Sequence, residues 1–373
     1  MAPIVKAMNC RPEAFDCCVC VTAQHRKLLD DVLTVFNIRP DYDLNVMAQG
    51  QNPSEVAGRV FVLLDPLIEA ERPDWVLVQG DTTTAMVASL AAYHRRTKVG
   101  HVEAGLRTHN KYEPFPEEVN RRITGLVADM HWAPTEAARA NLLREGVDRD
   151  QIYVTGNPVV DALLDVLRRP CDLDAILPRA ARGKQILLVT AHRRENFGAP
   201  IESICDGLVD IANRFADRLH VVYPVHPNPN VAGPVRRRLR NIPGVTLLAP
   251  LDYLSFAHLL NRAYLVLTDS GGLQEEAPGL GKPVLVLRDT TERPEAVATG
   301  AARLVGTRWR NIVAHVTRLM EDAASYETMA NAENPYGDGH AAERICERLL
   351  AANPTSHRRC PIDRFVCAEK NQA

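Results

Sequence analysis

The chain has 373 residues, of which 46% are hydrophobic and 24% are charged, and its formal net charge at pH 7 is −2. This length is sufficient for two domains of ordinary size, each with its own core. A nearly neutral chain gives no reason to expect a nucleic-acid partner, because proteins that bind nucleic acids carry a basic face. No stretch approaches about 20 apolar residues, and residues 1–10 lack the apolar core of a signal peptide, so we expect no membrane span and a cytoplasmic location.

Short apolar runs alternate with longer helical patterns, which is typical of parallel βαβ units and predicts an α/β fold. In the first half we predict strands near 17–22, 75–79, 98–102, 130–133 and 152–155, and helices over 83–95 and 117–128. In the second half we predict strands near 186–190, 219–223, 245–248, 264–268 and 283–287. The second set is fully apolar, as strands covered on both faces should be.

A polar segment containing Pro and Arg interrupts this pattern over residues 165–185 and predicts a domain boundary. We therefore expect a Rossmann-like N-terminal domain over residues 1–165 and a second over residues 184–339. A helix over 340–352 follows, and residues 353–373 have no periodicity and are expected to be disordered. Two doubly wound domains should face each other across a cleft, with ligands bound beyond the carboxyl ends of the strands.

Three of the nine cysteines, Cys17, Cys18 and Cys20, lie in one apolar, strand-like run. No histidine or second cysteine pair stands at a spacing typical of zinc sites, so a metal site is not predicted. We expect these cysteines to be buried, reduced thiols.

An apolar strand over 264–268 leads directly into Asp269, Ser270, Gly271 and Gly272, and a helical turn follows. Small residues allow the backbone to approach a ligand closely, and free N–H groups at a helix start attract an anion. Ser270 adds a hydroxyl donor, and Glu276 can reach ribose hydroxyls. An ordinary strand-to-helix turn capped by Ser or Asp explains the pattern equally well.

Other strand ends add cations to the same edge of the second domain. His192 and Arg193 follow the strand over 186–190, His226 follows the strand over 219–223, and Arg293 follows the last predicted strand. Arginine offers bidentate hydrogen bonds to phosphate. These positions predict a nucleotide-diphosphate site formed by His192, Ser270, Gly271, Gly272 and Arg293.

The first domain offers carboxylates at equivalent places. Asp81 follows the strand over 75–79, Glu103 follows the strand over 98–102, and Glu117 begins a helix. Taken singly, Asp81 is most simply a helix N-cap and Glu117 a favourable charge near a helix start. Glu103 adjoins an apolar strand, where an unpaired carboxylate is costly. Three carboxylates in one cleft can divide acid and base roles in proton removal from carbon, although glycoside hydrolysis also uses two carboxylates.

Several strings carry a family resemblance in order along the chain: VLVQGDTTT at 76–84, GHVEAGLRT at 100–108, PFPEEVNRR at 114–122, AHRREN at 191–196 and DSGGLQEEAPGLGKPVLVLRDTTERPEAV at 269–297. Over about residues 1–352 the chain resembles the non-hydrolysing UDP-N-acetylglucosamine 2-epimerases. The resemblance implies the two-Rossmann GT-B fold, with the last helix crossing back onto the first domain. It also implies a homodimer without a metal or nicotinamide cofactor.

The reaction that the resemblance implies interconverts UDP-GlcNAc and UDP-ManNAc by elimination of UDP and its re-addition through a glycal. Matched by motif, the catalytic residues are Asp81, Glu103, Glu117 and His192. The matched substrate contacts are Phe256 near the uracil, Ser270, Gly271, Gly272, Glu276 and Arg293. In bacterial relatives a second UDP-GlcNAc activates the enzyme, and Gln24, Arg193 and His226 lie in the matching strings.

The chain departs from the family pattern at its start. Family members open with an apolar strand and a Gly-Thr-Arg-Pro-Glu loop, whereas residues 1–5 match the helix that follows this loop. We therefore expect one central strand of the first sheet and one phosphate ligand to be missing, with impaired activity. The alternative functions are a hydrolysing epimerase, a GT-B glycosyltransferase and an inactive binder of UDP-sugars.

Overall fold

A computed structural model describes residues 1–23, 26–48 and 50–352, except for the side chains of 26–28. Its strands are β1 Cys20–Val21, β2 Tyr42–Asp43, β3 Trp75–Gln79, β4 Lys98–Val102, β5 Met130–Ala133, β6 Ile152–Val154, β7 Gln185–Thr190, β8 Leu219–Pro224, β9 Val245–Leu248, β10 Leu265–Thr268, β11 Val284–Val286 and β12 Ala302–Leu304. Its helices are α1 Ala2–Asn9, α2 Arg26–Phe36, α3 Pro53–Glu71, α4 Thr83–His94, α5 Glu117–Val127, α6 Glu136–Arg144, α7 Pro158–Leu167, α8 Ala199–Arg214, α9 Pro229–Leu239, α10 Tyr253–Arg262, α11 Leu273–Glu276, α12 Pro294–Ala298, α13 Trp309–Glu321, α14 Ala323–Ala330 and α15 Ala341–Ala352.

The strands pair in parallel and form three sheets. One sheet contains β1 and β2, a second has the order β3-β4-β5-β6, and the third has the order β12-β11-β10-β7-β8-β9. In the third sheet β8 and β9 lie on one side of β7, whereas β10 lies on the other side. The sheet is therefore doubly wound, and its strand order reverses between β7 and β10. Parallel strands joined by helices confirm the predicted α/β fold class.

The six-stranded sheet is covered on both faces because its strands alternate apolar side chains between two cores. On β7, Leu187 and Val189 pack into one cluster, whereas Ile186 and Leu188 pack into the other. All four side chains have no exposed surface. This explains why the strand reads as a continuous apolar run, and it fixes the end of β7 rigidly at the edge of the sheet.

The four-stranded sheet packs against helices from the two ends of the described chain. Ile4 of α1 and Ile345 of α15 share a buried cluster with Trp132 of β5. A Cβ at Gly100 would lie 2.5 Å from the Trp132 ring, so only glycine allows this ring to pack flat against β4. The predicted domain limits at residues 165 and 184 remain predictions.

Helix starts are set by side-chain caps. Asn52 and Glu55 form a reciprocal capping box at α3, and the Thr82 hydroxyl accepts the N–H of Ala85 at α4. Thr82, not Asp81, is the N-cap of α4, so the simple capping role for Asp81 is wrong.

None of the helices in the described part of the chain is long and apolar enough to cross a membrane.

The predicted strand and helix limits agree with the structure to within about two residues except at the first strand. The run over 17–22 forms a strand only over Cys20–Val21, because the N–H of Val19 binds the Asp41 side chain. The expectation of three buried cysteines there is also wrong. Cys18 is exposed, and Cys17 and Cys20 are half-buried.

Two buried histidines on adjacent strands make the fold sensitive to acid. His101 on β4 and His131 on β5 are register partners with almost no exposed surface. Burial lowers the pKa of His131 from 6.5 to about 4 and that of His101 to about 3. Both rings are therefore neutral in the folded chain, whereas the unfolded chain binds protons below pH 6.5. Their contribution to stability is complete above pH 6.5 and is lost as the pH falls towards the folded pKa values.

We predict that His131→Gln makes the free energy of unfolding less dependent on pH between 6.5 and 4.5, by up to about 1.4 kcal/mol per pH unit. The measurement is urea denaturation of the variant and the natural chain across this range. At pH 8 the histidines are neutral in both the folded and the unfolded chain, so the difference in unfolding free energy between the two proteins there measures the effect of the substitution itself. Equal pH slopes for the two proteins would contradict the assignment.

Candidate functional site

The site begins where the strand order of the six-stranded sheet reverses. The ends of β7 and β10 lie side by side there, and the hydroxyl oxygens of Thr190 and Thr268 are 2.6 Å apart. A crevice opens at such a reversal because the loops that follow the two strands turn to opposite faces of the sheet. The loop after β7 carries His192 and Arg193, and the loop after β10 carries Ser270, as the sequence predicts.

Asp269 holds these two loops together. Its Oδ2 atom accepts hydrogen bonds from the backbone N–H groups of His192 at 2.7 Å and Arg193 at 2.8 Å, and from the Asn196 side chain at 2.9 Å. The residue has no exposed surface. The interpretation of Asp269 as a cap for the helix that follows it is therefore wrong, since its carboxylate orders the neighbouring loop. Sequence reasoning missed this positioning role.

His192 is held in one orientation at the rim of the crevice. Its Nδ1 atom lies 3.4 Å from Asp269 Oδ1, and its ring stacks on His226 with centroids 5.4 Å apart. Burial lowers the pKa of His192, and the charges of His226 and Arg193 act in the same direction, although Asp269 opposes them. The imidazole is therefore mainly neutral at neutral pH, and the contact with Asp269 places its one N–H on Nδ1. The Nε2 atom of the partly exposed ring is then an acceptor, and it becomes a donor when the ring is protonated.

The turn after β10 presents unpaired backbone donors. The N–H of Ser270 binds Thr268 Oγ1 at 2.9 Å. The N–H groups of Gly271 and Gly272 have no acceptor among the residues that the structure describes. A Cβ on Gly271 would lie 2.7 Å from Glu292 Oε1, so a larger residue here would displace the end of this side chain from the turn.

The predicted nucleoside contacts lie next to this turn. Glu276 ends the short helix α11 and interacts with the hydroxyl of Tyr253, the first residue of α10. Burial and the nearby Glu275 raise the pKa of Glu276 to about 7. Phe256 lies one turn after Tyr253 and is half-buried against the same apolar cluster. These side chains offer an aromatic wall and a carboxyl group, which suits a base and a ribose.

Arg293 connects the two large sheets. Its Nε–H donates to Glu275, and one Nη atom lies 3.7 Å from Glu103 Oε1 at the end of β4. Glu275 is buried and also accepts a 2.6 Å hydrogen bond from the Asn157 side chain, which follows β6. Burial tends to raise the pKa of Glu275 and Arg293 opposes that rise. The guanidinium thus belongs to both halves of the molecule, and sequence reasoning missed Glu275 and Asn157.

Glu103 has an unusual backbone conformation. Its φ of 61° lies in the left-handed region, which is rare for a residue with a side chain and costs of order 1–3 kcal/mol. The carboxylate accepts a 3.1 Å hydrogen bond from the Gln79 side chain and faces Arg293. The strained backbone turns the end of β4 so that this carboxylate points towards the second sheet.

Asp81 and Glu117 reach the same end of the four-stranded sheet through α5. Arg121 binds the Asp81 carboxylate, and the Asn120 side chain donates to the Asp81 carbonyl at 3.0 Å. Glu117 is half-buried at the start of α5, one turn before Arg121 on the same helix face. The adjacent Glu118 instead binds the backbone N–H groups of Thr108 and His109. Helix α5 therefore carries Glu117 on the same face as Arg121, which orients Asp81.

The family resemblance matches three residues to a second UDP-GlcNAc, and the structure describes two of them. Arg193 contacts Glu292 at 3.3 Å, and His226 stacks on His192, so both adjoin the main crevice. Gln24 lies outside the described residues.

Comparison with known proteins agrees with this geometry. The sequence model of the family described as UDP-N-acetylglucosamine 2-epimerase matches residues 7–350. The UDP-N-acetylglucosamine 2-epimerase of Escherichia coli O157:H7 is 54% identical over 358 residues, covering 94% of this chain and 94% of that protein.

Solved structures give the same result. The Neisseria meningitidis UDP-GlcNAc 2-epimerase bound to UDP-GlcNAc is 45% identical, with a TM-score of 0.85 over 94% of this chain and 96% of its own. The Methanocaldococcus jannaschii UDP-GlcNAc 2-epimerase in complex with UDP-GlcNAc and UDP is 32% identical, with a TM-score of 0.77 over 94% and 95%. The expected GT-B-like architecture is confirmed by these neighbours. The chain belongs to the UDP-N-acetylglucosamine 2-epimerase family.

Proposed function

We propose that the chain catalyses the reversible epimerisation of UDP-GlcNAc to UDP-ManNAc at C2 of the sugar, without hydrolysis, to supply precursors for surface polysaccharide. The observation that carries this proposal is Arg293, which lies between the acid–base carboxylates of one sheet and the anion-binding crevice of the other. A phosphate held by this guanidinium would bring the attached sugar towards Glu103. The names of the relatives support the same reaction.

The proposed reaction is an elimination followed by re-addition. A carboxylate removes the C2 proton, and the electrons of the C–H bond form a C1=C2 double bond. The bond between C1 and the phosphate oxygen breaks, so that UDP leaves with that electron pair. In the return step the phosphate oxygen attacks C1 while C2 receives a proton on the opposite face, and no electrons are gained or lost overall.

The crevice groups suit the departing diphosphate. We propose that His192, the N–H groups of Gly271 and Gly272, and Arg293 stabilise the negative charge that develops on the leaving phosphate. His192 can donate to the diphosphate through Nε2 when its ring is protonated, because Nδ1 faces Asp269 and the Asp269 charge favours the protonated ring. Ser270, Glu276 and Phe256 would then contact the nucleoside and its first phosphate.

The carboxylates are proposed to share the two proton transfers. Asp81 is paired with Arg121, Glu103 lies 3.7 Å from Arg293, and Glu117 is half-buried, so the three carboxylates have different surroundings. Different environments allow one carboxyl group to act as base while another acts as acid. Because the C2 proton is removed and a proton is later returned to C2, exchange of this hydrogen with solvent is the expected signature of the reaction.

We also propose a second UDP-GlcNAc position that involves Arg193, His226 and Gln24. The first two side chains adjoin His192, so a second sugar nucleotide there would contact the crevice directly. The rate should then rise with substrate concentration more steeply than a hyperbola.

A cytoplasmic location and a homodimer complete the proposal. Five described cysteines, Cys10, Cys20, Cys171, Cys205 and Cys346, are free thiols, as in a reducing compartment. Helices α3, α4 and α5 pack side by side and expose large apolar side chains, with Val62 at 74%, Tyr93 at 60% and Leu126 at 85% exposure. An apolar surface shared by three helices is typical of a subunit interface.

We predict that Asp81→Asn, Glu103→Gln and Glu117→Gln each lower the rate of conversion by at least about 10²-fold, because each removes a proton-transfer group. Proton NMR of UDP-GlcNAc in deuterated buffer should show UDP-ManNAc with deuterium at C2 for the natural chain. Glu136→Gln, an exposed carboxylate on α6, is the control and should retain full activity. Release of free ManNAc and UDP would indicate a hydrolysing enzyme instead, and retention of C2 protium in the product would contradict the mechanism.

We predict that Leu126→Glu converts a homodimer into a monomer, because a charge would replace an exposed apolar side chain on the proposed interface. Light scattering coupled to size-exclusion chromatography should give twice the chain mass for the natural protein. Trp309→Glu, at an exposed position on α13, a helix that packs on α8 beside the six-stranded sheet, should leave the dimer intact. A Leu126→Glu protein that remains dimeric would place the interface elsewhere.

A further inference from the structure

A carboxylate of the chain lies inside the anion-binding crevice. Glu292, in the loop between β11 and α12, has its Oε1 atom 2.7 Å from the place that a Cβ on Gly271 would take. Its side chain is only 16% exposed. The carboxylate therefore lies against the glycine turn whose N–H groups have no acceptor in the described part of the chain.

Three arginines surround this carboxylate. Arg193 Nη2 lies 3.3 Å from Oε1, Arg288 Nη1 lies 2.5 Å from Oε2, and Arg293 is close enough to act on its charge. Burial tends to raise the pKa of Glu292, but its own backbone N–H and the three guanidinium groups lower it. Glu292 is thus an ionised group in the surroundings that a phosphate would require.

The arginines do not all depend on Glu292 for a partner. Arg288 also contacts Glu195 at 2.7 Å, and Arg293 is paired with Glu275 and Glu103. Only Arg193 has Glu292 as its single acidic partner among the residues described. Loss of the Glu292 charge would therefore leave two of the three cations compensated, and it would free Arg193 and the glycine turn.

We propose that Glu292 is an internal counter-ion that occupies the diphosphate position in the empty site and competes with the diphosphate of the nucleotide. Entry of the diphosphate displaces the carboxylate from Gly271 and Arg193. Part of the binding free energy is spent on this exchange, so Glu292 lowers the affinity for UDP and for UDP-sugars. The inference rests on the proposed function, which assigns the crevice to the diphosphate.

The test is calorimetric titration of UDP and of uridine into the natural chain, Glu292→Gln and Glu195→Gln. Glu292→Gln keeps the shape of the side chain without its charge, and we expect the Kd for UDP to fall about tenfold, as the loss of a competing charged hydrogen bond would give. Uridine has no phosphate, so its Kd should not change. Glu195→Gln removes the outer acidic partner of the same Arg288 and should leave the Kd for UDP within about twofold.

An unchanged or higher Kd for UDP with Glu292→Gln would overturn the proposal, because it would mean that the carboxylate only orders the arginines. Should Glu292→Gln fail to give a cooperative thermal melt, Glu292→Asp provides the second test. It withdraws the charge by one methylene, so the Kd for UDP should again fall, and an unchanged or higher value would overturn the proposal. If the natural chain binds no UDP, the proposed function itself fails. If the natural chain binds UDP but the Glu292 variants do not bind it more tightly, only the counter-ion proposal is contradicted, and the proposed function stands.

Discussion

A single buried cation, Arg293, links the chemistry of the two halves of the molecule. Its guanidinium contacts Glu275 beside the six-stranded sheet and Glu103 at the end of β4. A buried charge is tolerated only when it is paired, and removal of one partner from such a pair typically costs several kcal/mol. The two sheets are therefore held with their carboxyl ends facing each other, and the strained backbone of Glu103 serves the same arrangement. The groups proposed for acid–base chemistry and those proposed to bind the diphosphate adjoin each other at this pairing.

The rest of the site follows from the ends of strands. Rigid, doubly covered strands bring His192 and the glycine turn together, and Asp269 fixes the loop between them through backbone hydrogen bonds. On the other sheet, Arg121 orients Asp81 from α5. Three groups that are proposed to touch the substrate are thus each supported by a buried residue: His192 by Asp269, Arg293 by Glu275 and Asp81 by Arg121. The site therefore contains many ion pairs, while the N–H groups of Gly271 and Gly272 find no acceptor among the described residues.

Much of this arrangement could be predicted from the sequence, because apolar strands that end in polar loops identify the functional edge of an α/β sheet. The positions of Asp81, Glu103, His192 and Arg293 just beyond strand ends are predicted in this way. The supporting groups were missed for a physical reason: Glu275 and Asp269 resemble ordinary helix-start acids, and only the fold shows which distant N–H or guanidinium they face. Glu292 was missed likewise, because its contact with Gly271 joins loops that follow different strands. The short strand at Cys20–Val21 departs from its apolar pattern because a side chain, Asp41, takes one of its backbone bonds.

The central claim is that one cleft holds the diphosphate at Arg293 and the sugar at the carboxylates. A crystal structure of the chain with UDP-GlcNAc bound tests it most directly. The account predicts a phosphate within hydrogen-bond distance of Arg293 and Gly271, and C2 of the sugar next to Asp81, Glu103 or Glu117. A ligand whose phosphates avoid Arg293, or whose sugar points away from all three carboxylates, would contradict it.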